Sequence, residues 1–281
     1  MRKHRKSKLR WRIGGIVTVV ACCFMFTTFV AGQESTRLTP IQREIERQRQ
    51  RLGSLEVEER RDALMRLANL KRPEASRAAA AALNDTSPTV RAAAVHAVIF
   101  LPNHEAAALL LPLLKDKTEF VRREVAFALG TTRHSSAVSA LVDLLNRDKQ
   151  HSVRAAAAIA LGEIGDDAAV PALSQIIAGD SSKKKKSKSA EDEFVARSAV
   201  RSLGQIGSRA AVPTLIGALQ NESNSIDTRR EAATALGLLG DAAALPALNA
   251  ARQANADPYL AEAARNAVRQ INRTKAKGAG N

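Results

Sequence analysis

Cysteine is nearly absent: the chain of 281 residues has two, Cys22 and Cys23, side by side near its start. Adjacent cysteines build no cross-linked framework, so the rest of the chain has no disulfide, no cysteine metal site and no thiol nucleophile, and it folds by packing alone. Aromatic residues are scarce as well, at 3%. Small and aliphatic side chains must therefore fill the core, and few platforms exist for a large conjugated ligand. The glycine pairs Gly162/Gly165 and Gly204/Gly207 are preceded by no strand pattern and followed by no Gly-Lys-Ser/Thr element, which excludes a phosphate loop. His96, His134 and His151 have no evenly spaced acidic companions, so neither a metal nor a cofactor is expected.

What the chain has in abundance is repetition. Val153 to Leu173, VRAAAAIALGEIGDDAAVPAL, returns in altered form as FVRREVAFALG, FVARSAVRSLGQIGSRAAVPTL and DTRREAATALGLLGDAAALPAL. Aligning Gly130, Gly162, Gly204 and Gly237 gives intervals of 32, 42 and 33 residues, and the register extends to Arg66 and Ile99 before them and Arg269 after. Such a period marks a repeat architecture in which no unit buries its apolar side alone and neighbours stack into a continuous core. The apolar spacing predicts two helices per unit. The first kind falls near 104–114, 134–146, 167–178, 208–219 and 241–252, and the second near 119–129, 151–162, 192–203, 227–237 and 258–271. Earlier helices are expected over 41–52, 55–70, 73–83 and 89–100. The alanine runs place the helix axes close together. The shared glycines, at the ends of the second-kind helices where a left-handed or close-packed backbone is easiest without a Cβ, are read as turn residues, and Pro112, near the end of its helix, as a kink or early termination. Asp166 and Asp167 suit the start of the next helix.

Charge is uneven. The net value is +15, and the first twelve residues, MRKHRKSKLRWR, hold seven Lys or Arg and no acid. Most of the remaining basic residues are mixed with acids, which speaks against a nucleic-acid footprint. The unit between Gly162 and Gly204 is longer than its neighbours by the insertion GDSSKKKKSKS, residues 179–189, whose Lys183, Lys184, Lys185, Lys186 and Lys188 predict an exposed charged loop. Irregular stacking is expected in the unit after it.

Residues 13–32 carry no charge over twenty positions. This length and the basic head predict either an uncleaved membrane anchor or a cleaved signal, with Cys22 in a lipobox-like Val19-Val20-Ala21-Cys22 as a candidate lipidation site. The expected organisation is a basic cytoplasmic head (1–12), the apolar segment (13–32), a polar spacer with a capping helix (33–54), the repeats (55–271) and a flexible tail (272–281). The repeats would lie outside the cytoplasm, in the periplasm of a Gram-negative-type bacterium, or be secreted after cleavage.

Asp85, Pro88, Val90 and Arg91, then Asp116, Val121 and Arg122, then Asp148, Val153 and Arg154 recur with aspartate six residues before arginine, and Arg229 stands in the unit with Asp227. In these residues and in the ALG and AVP elements the units resemble HEAT repeats, notably the short alanine-rich kind also seen in phycobilisome lyases. The resemblance covers residues 55–271 and implies an all-α solenoid of stacked antiparallel helix pairs. It also implies a structural ladder in which each turn aspartate meets helix N–H groups and an arginine of its own or a neighbouring unit. By the same resemblance the second-kind helices line an inner row, which makes Arg123, Glu124, Arg197, Arg201, Arg230 and Glu231 the candidate binding face. Deoxyhypusine hydroxylase, another HEAT-like family, builds a di-iron site from His-Glu pairs; here Arg123-Glu124 and Arg230-Glu231 stand instead, and arginine does not coordinate iron.

The function expected from these features is a non-catalytic protein-binding scaffold of the cell envelope, with a protein partner, membrane contact through 13–32 if uncleaved, and no nucleic-acid or small-molecule ligand. The alternatives are a regulatory accessory subunit of a membrane or exported enzyme or transporter and, more remotely, a phycobilin lyase-like enzyme.

Overall fold

Alanine lets helix axes approach, and the computed structural model shows how far the chain exploits this. It describes residues 38–179, 189–253 and 257–278, all of whose regular elements are helical. The chain divides into two compact units, ending and beginning at Glu46 and Arg47. The first helix, α1 (Pro40–Arg51), opens on a reciprocal capping box: the Gln42 amide donates to Thr39 Oγ1 at 3.2 Å and the Thr39 amide to Gln42 Oε1 at 2.8 Å.

The second unit is an α-solenoid of helix pairs. Its first row is α3 (Pro73–Ala79), α5 (Asn103–Leu110), α7 (Val138–Arg147), α9 (Val170–Ala178), α11 (Val212–Gln220) and α13 (Leu245–Gln253). Its second row is α2 (Val57–Asn69), α4 (Pro88–Val98), α6 (Glu119–Thr132), α8 (His151–Ile164), α10 (Ala190–Ile206), α12 (Ile226–Leu239) and α14 (Pro258–Gly278). Successive second-row helices pack directly on one another, whereas successive first-row helices touch sparingly. Leucines from both rows, among them Leu110, Leu141, Leu161, Leu173, Leu203, Leu215 and Leu236, fill the space between.

The two halves of a pair meet in a consistent way. From α7 onward each first-row helix starts with a 3₁₀ turn that passes into the α-helix, and Pro171, Pro213 and Pro246 stand at the first α-helical turn, where a missing N–H costs nothing. Asp166 and Asp241 cap these turns by accepting the amides of Ala168 and Ala243 at 2.9 Å. The two earliest first-row helices do the reverse and end in 3₁₀ turns, Ala80–Asn84 and Leu111–Lys115, the latter containing Pro112 as the sequence predicts.

The shared glycines act differently from the expectation that they are turn residues. Gly130, Gly162, Gly204 and Gly237 lie inside their helices, and each faces the next second-row helix so closely that a methyl group does not fit. An added Cβ would lie 2.9 Å from Ala160 Cα, 2.7 Å from Ser202 Cβ, 2.8 Å from Ala235 Cβ and 2.9 Å from Ala267 Cα, respectively. The turn is made three residues later: Gly165, Gly207 and Gly240 end α8, α10 and α12 in the left-handed region at φ of 75°, 77° and 69°. Arg133 takes that role after α6.

Four further expectations are corrected. The register at the start is set by Ala68 rather than Arg66, because Arg60, Ala63, Leu64 and Leu67 of α2 are buried in the pattern of Arg91, Ala94, Val95 and Val98 of α4. The stacking does not loosen after the insertion: α8 and α10 form a close seam, in which the buried Ser202 hydroxyl donates to the Ala158 carbonyl at 2.7 Å. Residues 272–278 are no tail but continue α14, which Ile271, fully buried, ties to the core. No helix among the described residues is long and apolar enough to cross a membrane. The longest, α14, is amphipathic: Leu260, Ala264, Ala267, Val268 and Ile271 are buried on one side, while Glu262, Arg265, Arg269 and Arg273 are exposed on the other. Neither the structure nor any relative supports a signal or membrane anchor, so anchoring, membrane contact, periplasmic placement and secretion are withdrawn as expectations. Residues 1–12 and 13–32, with Cys22, lie outside the described residues, as do Lys183, Lys184, Lys185, Lys186 and Lys188.

The seam is testable by contrast. Gly204→Ala should destabilise by about 1–3 kcal/mol through overpacking against Ala235. Gly217→Ala, in α11 with open space around it, should stabilise by about 0.5–1 kcal/mol through helix propensity. Urea denaturation followed by circular dichroism reads both, and equal signs would refute the assignment.

Candidate functional site

Each turn between the rows must accommodate a carboxylate and a guanidinium, and the structure pairs them across units. Arg91 sends Nε and Nη2 forward to Asp116 at 2.7 and 2.9 Å while its Nη1 donates to the Asp85 carbonyl oxygen at 2.8 Å. Arg122 repeats this with Asp148 at 2.7 and 3.0 Å, holding the Asp116 carbonyl at 2.9 Å. Asp85, Asp116 and Asp148 each accept the amide two residues on, from Ser87, Thr118 and Gln150. The arginine therefore serves its own unit through a carbonyl and the following unit through a fork to the carboxylate. Sequence reading missed where the ladder begins. Arg60 grips Asp85 at 2.7 and 2.9 Å, and the shifted register had put Glu58 in its place.

Burial alone would raise the three aspartates, but the arginine forks and the turn amides outweigh it and hold each carboxyl below its ordinary range. Among the described residues no further fork of this kind follows. Arg154 donates instead to the Leu145 carbonyl at 3.0 Å, its nearest carboxylate being Asp192 at 3.8 Å. Arg229 likewise donates to the Leu219 carbonyl at 2.9 Å. Both cap the end of the preceding first-row helix.

The predicted binding residues lie on second-row helices, and several of them bridge neighbouring ones. Arg201 on α10 forks to Glu231 on α12 at 2.8 and 3.1 Å, and these hydrogen bonds raise the guanidinium's pKa further above its ordinary value. Arg197, one position along from the place a ladder arginine would take, reaches Asp227 of α12 at 3.2 Å. Arg230 closes on the same carboxylate. Arg123 pairs with Glu124, which also meets His96 of α4 at 3.0 Å. These pairs are more exposed than the ladder.

Beside them stand residues that sequence reading did not single out. Phe120 is 41% exposed, Phe194 45% and Tyr259 71%, in a chain with few aromatics to spare. Each lies under a guanidinium: Arg123 sits 5.3 Å from the Phe120 ring centroid, Arg197 5.8 Å from Phe194 and Arg230 5.7 Å from Tyr259. The Phe-x-x-Arg spacing of Phe120/Arg123 and Phe194/Arg197 was visible in the repeats and is the signal that could have found them. On the other row, a groove of about 970 Å³ opens between α5 and α7, floored by Leu111, Pro112, Leu114 and Leu144, where the 3₁₀ turn ends α5. No three His, Cys, Asp or Glu side chains among the described residues group as a metal site needs.

A family model described as HEAT repeats matches residues 45–126, 109–191 and 184–269. No curated protein matches in sequence. Among solved structures, YibA of Escherichia coli is similar with a TM-score of 0.56 and 18% identity, over 97% of this chain and 100% of that one. The complex of CpcE and CpcF of phycocyanin lyase from Nostoc sp. PCC7120 scores 0.48 at 24% identity, covering 84% and 89%. Human deoxyhypusine hydroxylase in complex with glycerol scores 0.41 at 20%, covering 82% and 96%. At these identities the likeness to YibA is one of fold, and the other two bear on neither activity nor ligand.

Two measurements follow from the ladder. Asp116→Asn leaves the Arg91 guanidinium, 8% exposed, without its charge partner and should cost on the order of 3 kcal/mol, whereas Arg201→Ala, 58% exposed, should cost less than about 1 kcal/mol. Because the folded aspartates have lowered pKa values, their contribution is complete above the unfolded carboxylate pKa near about 4 and is lost as pH falls through the lower folded values. The melting temperature should fall with acid below that point, and fall less in the Asp116→Asn protein. Equal acid sensitivity of the two proteins contradicts the assignment.

Proposed function

The chain belongs to the HEAT-repeat family, and from that premise we propose that it is a non-catalytic protein-binding scaffold whose second-row face receives its partner. The observation that carries this reading is the set of three exposed aromatic rings, each stacked with an arginine, on helices of one row. Aromatic and arginine side chains supply large contact area at small conformational cost and dominate binding energy at protein interfaces. In a solenoid whose seams are closed by alanine and glycine, these rings have no packing task that would account for their exposure. The ion pairs Arg201–Glu231 and Arg197–Asp227 hold their side chains in place between neighbouring helices and so preorganise the face.

A scaffold of this kind positions another protein without performing chemistry on it. Arg123, Glu124, Arg230 and Glu231 are engaged in ion pairs and ring stacking here. The groove between α5 and α7 lies on the opposite row and is bordered by the Arg122–Asp148 step of the ladder, so filling it would intrude on a structural contact.

Affinity capture with the full chain tests the reading. Proteins retained by the wild type should be lost to the Phe194→Ala/Arg197→Ala variant and kept by Arg147→Ala, an exposed first-row change. Retention by both variants, or loss to the first-row variant alone, rejects the second-row face.

A further inference from the structure

Aligned on Gly130, Gly162, Gly204, Gly237 and Arg269, the residue ten positions earlier reads Phe120, Ser152, Phe194, Asp227 and Tyr259. The exposed rings therefore recur on every second helix of the row, α6, α10 and α14, with a small or acidic residue between. Packed neighbours lie about 8–10 Å apart, so consecutive rings are separated by roughly 16–20 Å. A fully extended chain rises about 3.3 Å per residue and covers that distance in about five or six residues.

We propose, resting on the scaffold reading, that this row is a track for an extended acidic segment of a partner protein, whose apolar side chains cover Phe120, Phe194 and Tyr259 while adjacent carboxylates engage Arg123, Arg197 and Arg230. The arginine beside each ring favours such a partner. Arg123, Arg197 and Arg230 are 35%, 37% and 36% exposed, and Asp227 is shared between Arg197 and Arg230. The existing pairs are partly exposed and worth little each, so an incoming carboxylate exchanges into them at small cost.

The same residues disfavour a single-stranded nucleic acid. A base needs an open ring face on which to stack, and here an arginine covers one face of each ring. Glu124, Asp227 and Glu231 also interrupt the row with negative charge, which a regularly charged phosphate backbone meets at every step and a peptide avoids by its sequence.

A display library of random 15-residue peptides selected on the full chain tests this directly. Enriched sequences should carry net negative charge, with Asp or Glu beside Leu, Ile or Phe at intervals of five or six. A labelled enriched peptide should bind the Phe194→Ala protein about tenfold more weakly, with an unchanged melting temperature, and the Arg147→Ala protein as well as the wild type. A labelled 15-mer of oligouridine should not compete. Enrichment of basic or neutral sequences, competition by oligouridine, or indifference to Phe194→Ala overturns the inference. If partner capture depends on the second-row face while no acidic peptide is selected, the inference fails and the scaffold reading stands. If neither depends on that face, both fail.

Discussion

The distance between successive second-row helices is the constraint on which the structure depends. With Gly130, Gly162, Gly204 and Gly237 set against Ala160, Ser202, Ala235 and Ala267, the backbones approach to where no further methyl group is admitted. Close approach multiplies van der Waals contacts along the seam without large side chains, which is how a chain with few aromatics reaches a continuous core. It also fixes the angle and register of each unit on the next, since ridges of such small residues leave little freedom to slide. The first row, whose helices touch sparingly, is held mainly through its partners in the second.

An electrostatic device complements this seam. The Arg60–Asp85, Arg91–Asp116 and Arg122–Asp148 forks are largely buried and satisfy turn amides and carbonyls together, so they define how one unit follows another. Among the described residues no buried side-chain nitrogen or oxygen lacks a partner, as a closed network of this sort requires. After Asp148 the forks stop, yet α8 and α10 remain closely packed. Gly162 and Ser202 supply there by contact and one buried hydrogen bond what the ladder supplies earlier. The second row is thus continuous between α8 and α10, which stand on either side of the insertion in the chain.

The period, the all-α solenoid and nearly every helix were legible in the sequence because apolar spacing and proline position are local signals that recur. The ladder residues were legible as a pattern, although not which aspartate each arginine grips, since that depends on the forward stacking of one unit on the next. Arg60 was missed because the first copy lacks the glycine that anchors the alignment. The two glycines of Gly-x-x-Gly were assigned one role where they have two: only the second has a positive φ, and the first is recognisable only once a neighbouring helix lies against it. The anchoring expected from residues 13–32 found no support, since that run lies outside the described residues and no described helix is long and apolar enough to cross a membrane.

The exposed rings stand apart from this economy and show where the row departs from pure packing. Position −10 of a unit, counted from the shared glycine, lies at the first turn of a second-row helix, beyond the seam, and Ser152 and Asp227 show that the fold accepts a polar residue there. A phenylalanine at the same position leaves 41% or 45% of its surface in contact with water. Arginine stacking recovers part of that cost and at the same time holds each ring in one orientation. A side chain that is dispensable for folding, exposed, oriented and repeated at alternate units is what an interface needs and a core does not. The rigidity of the seam then gives the rings a fixed spacing, so the feature that makes the solenoid stable also makes its face specific.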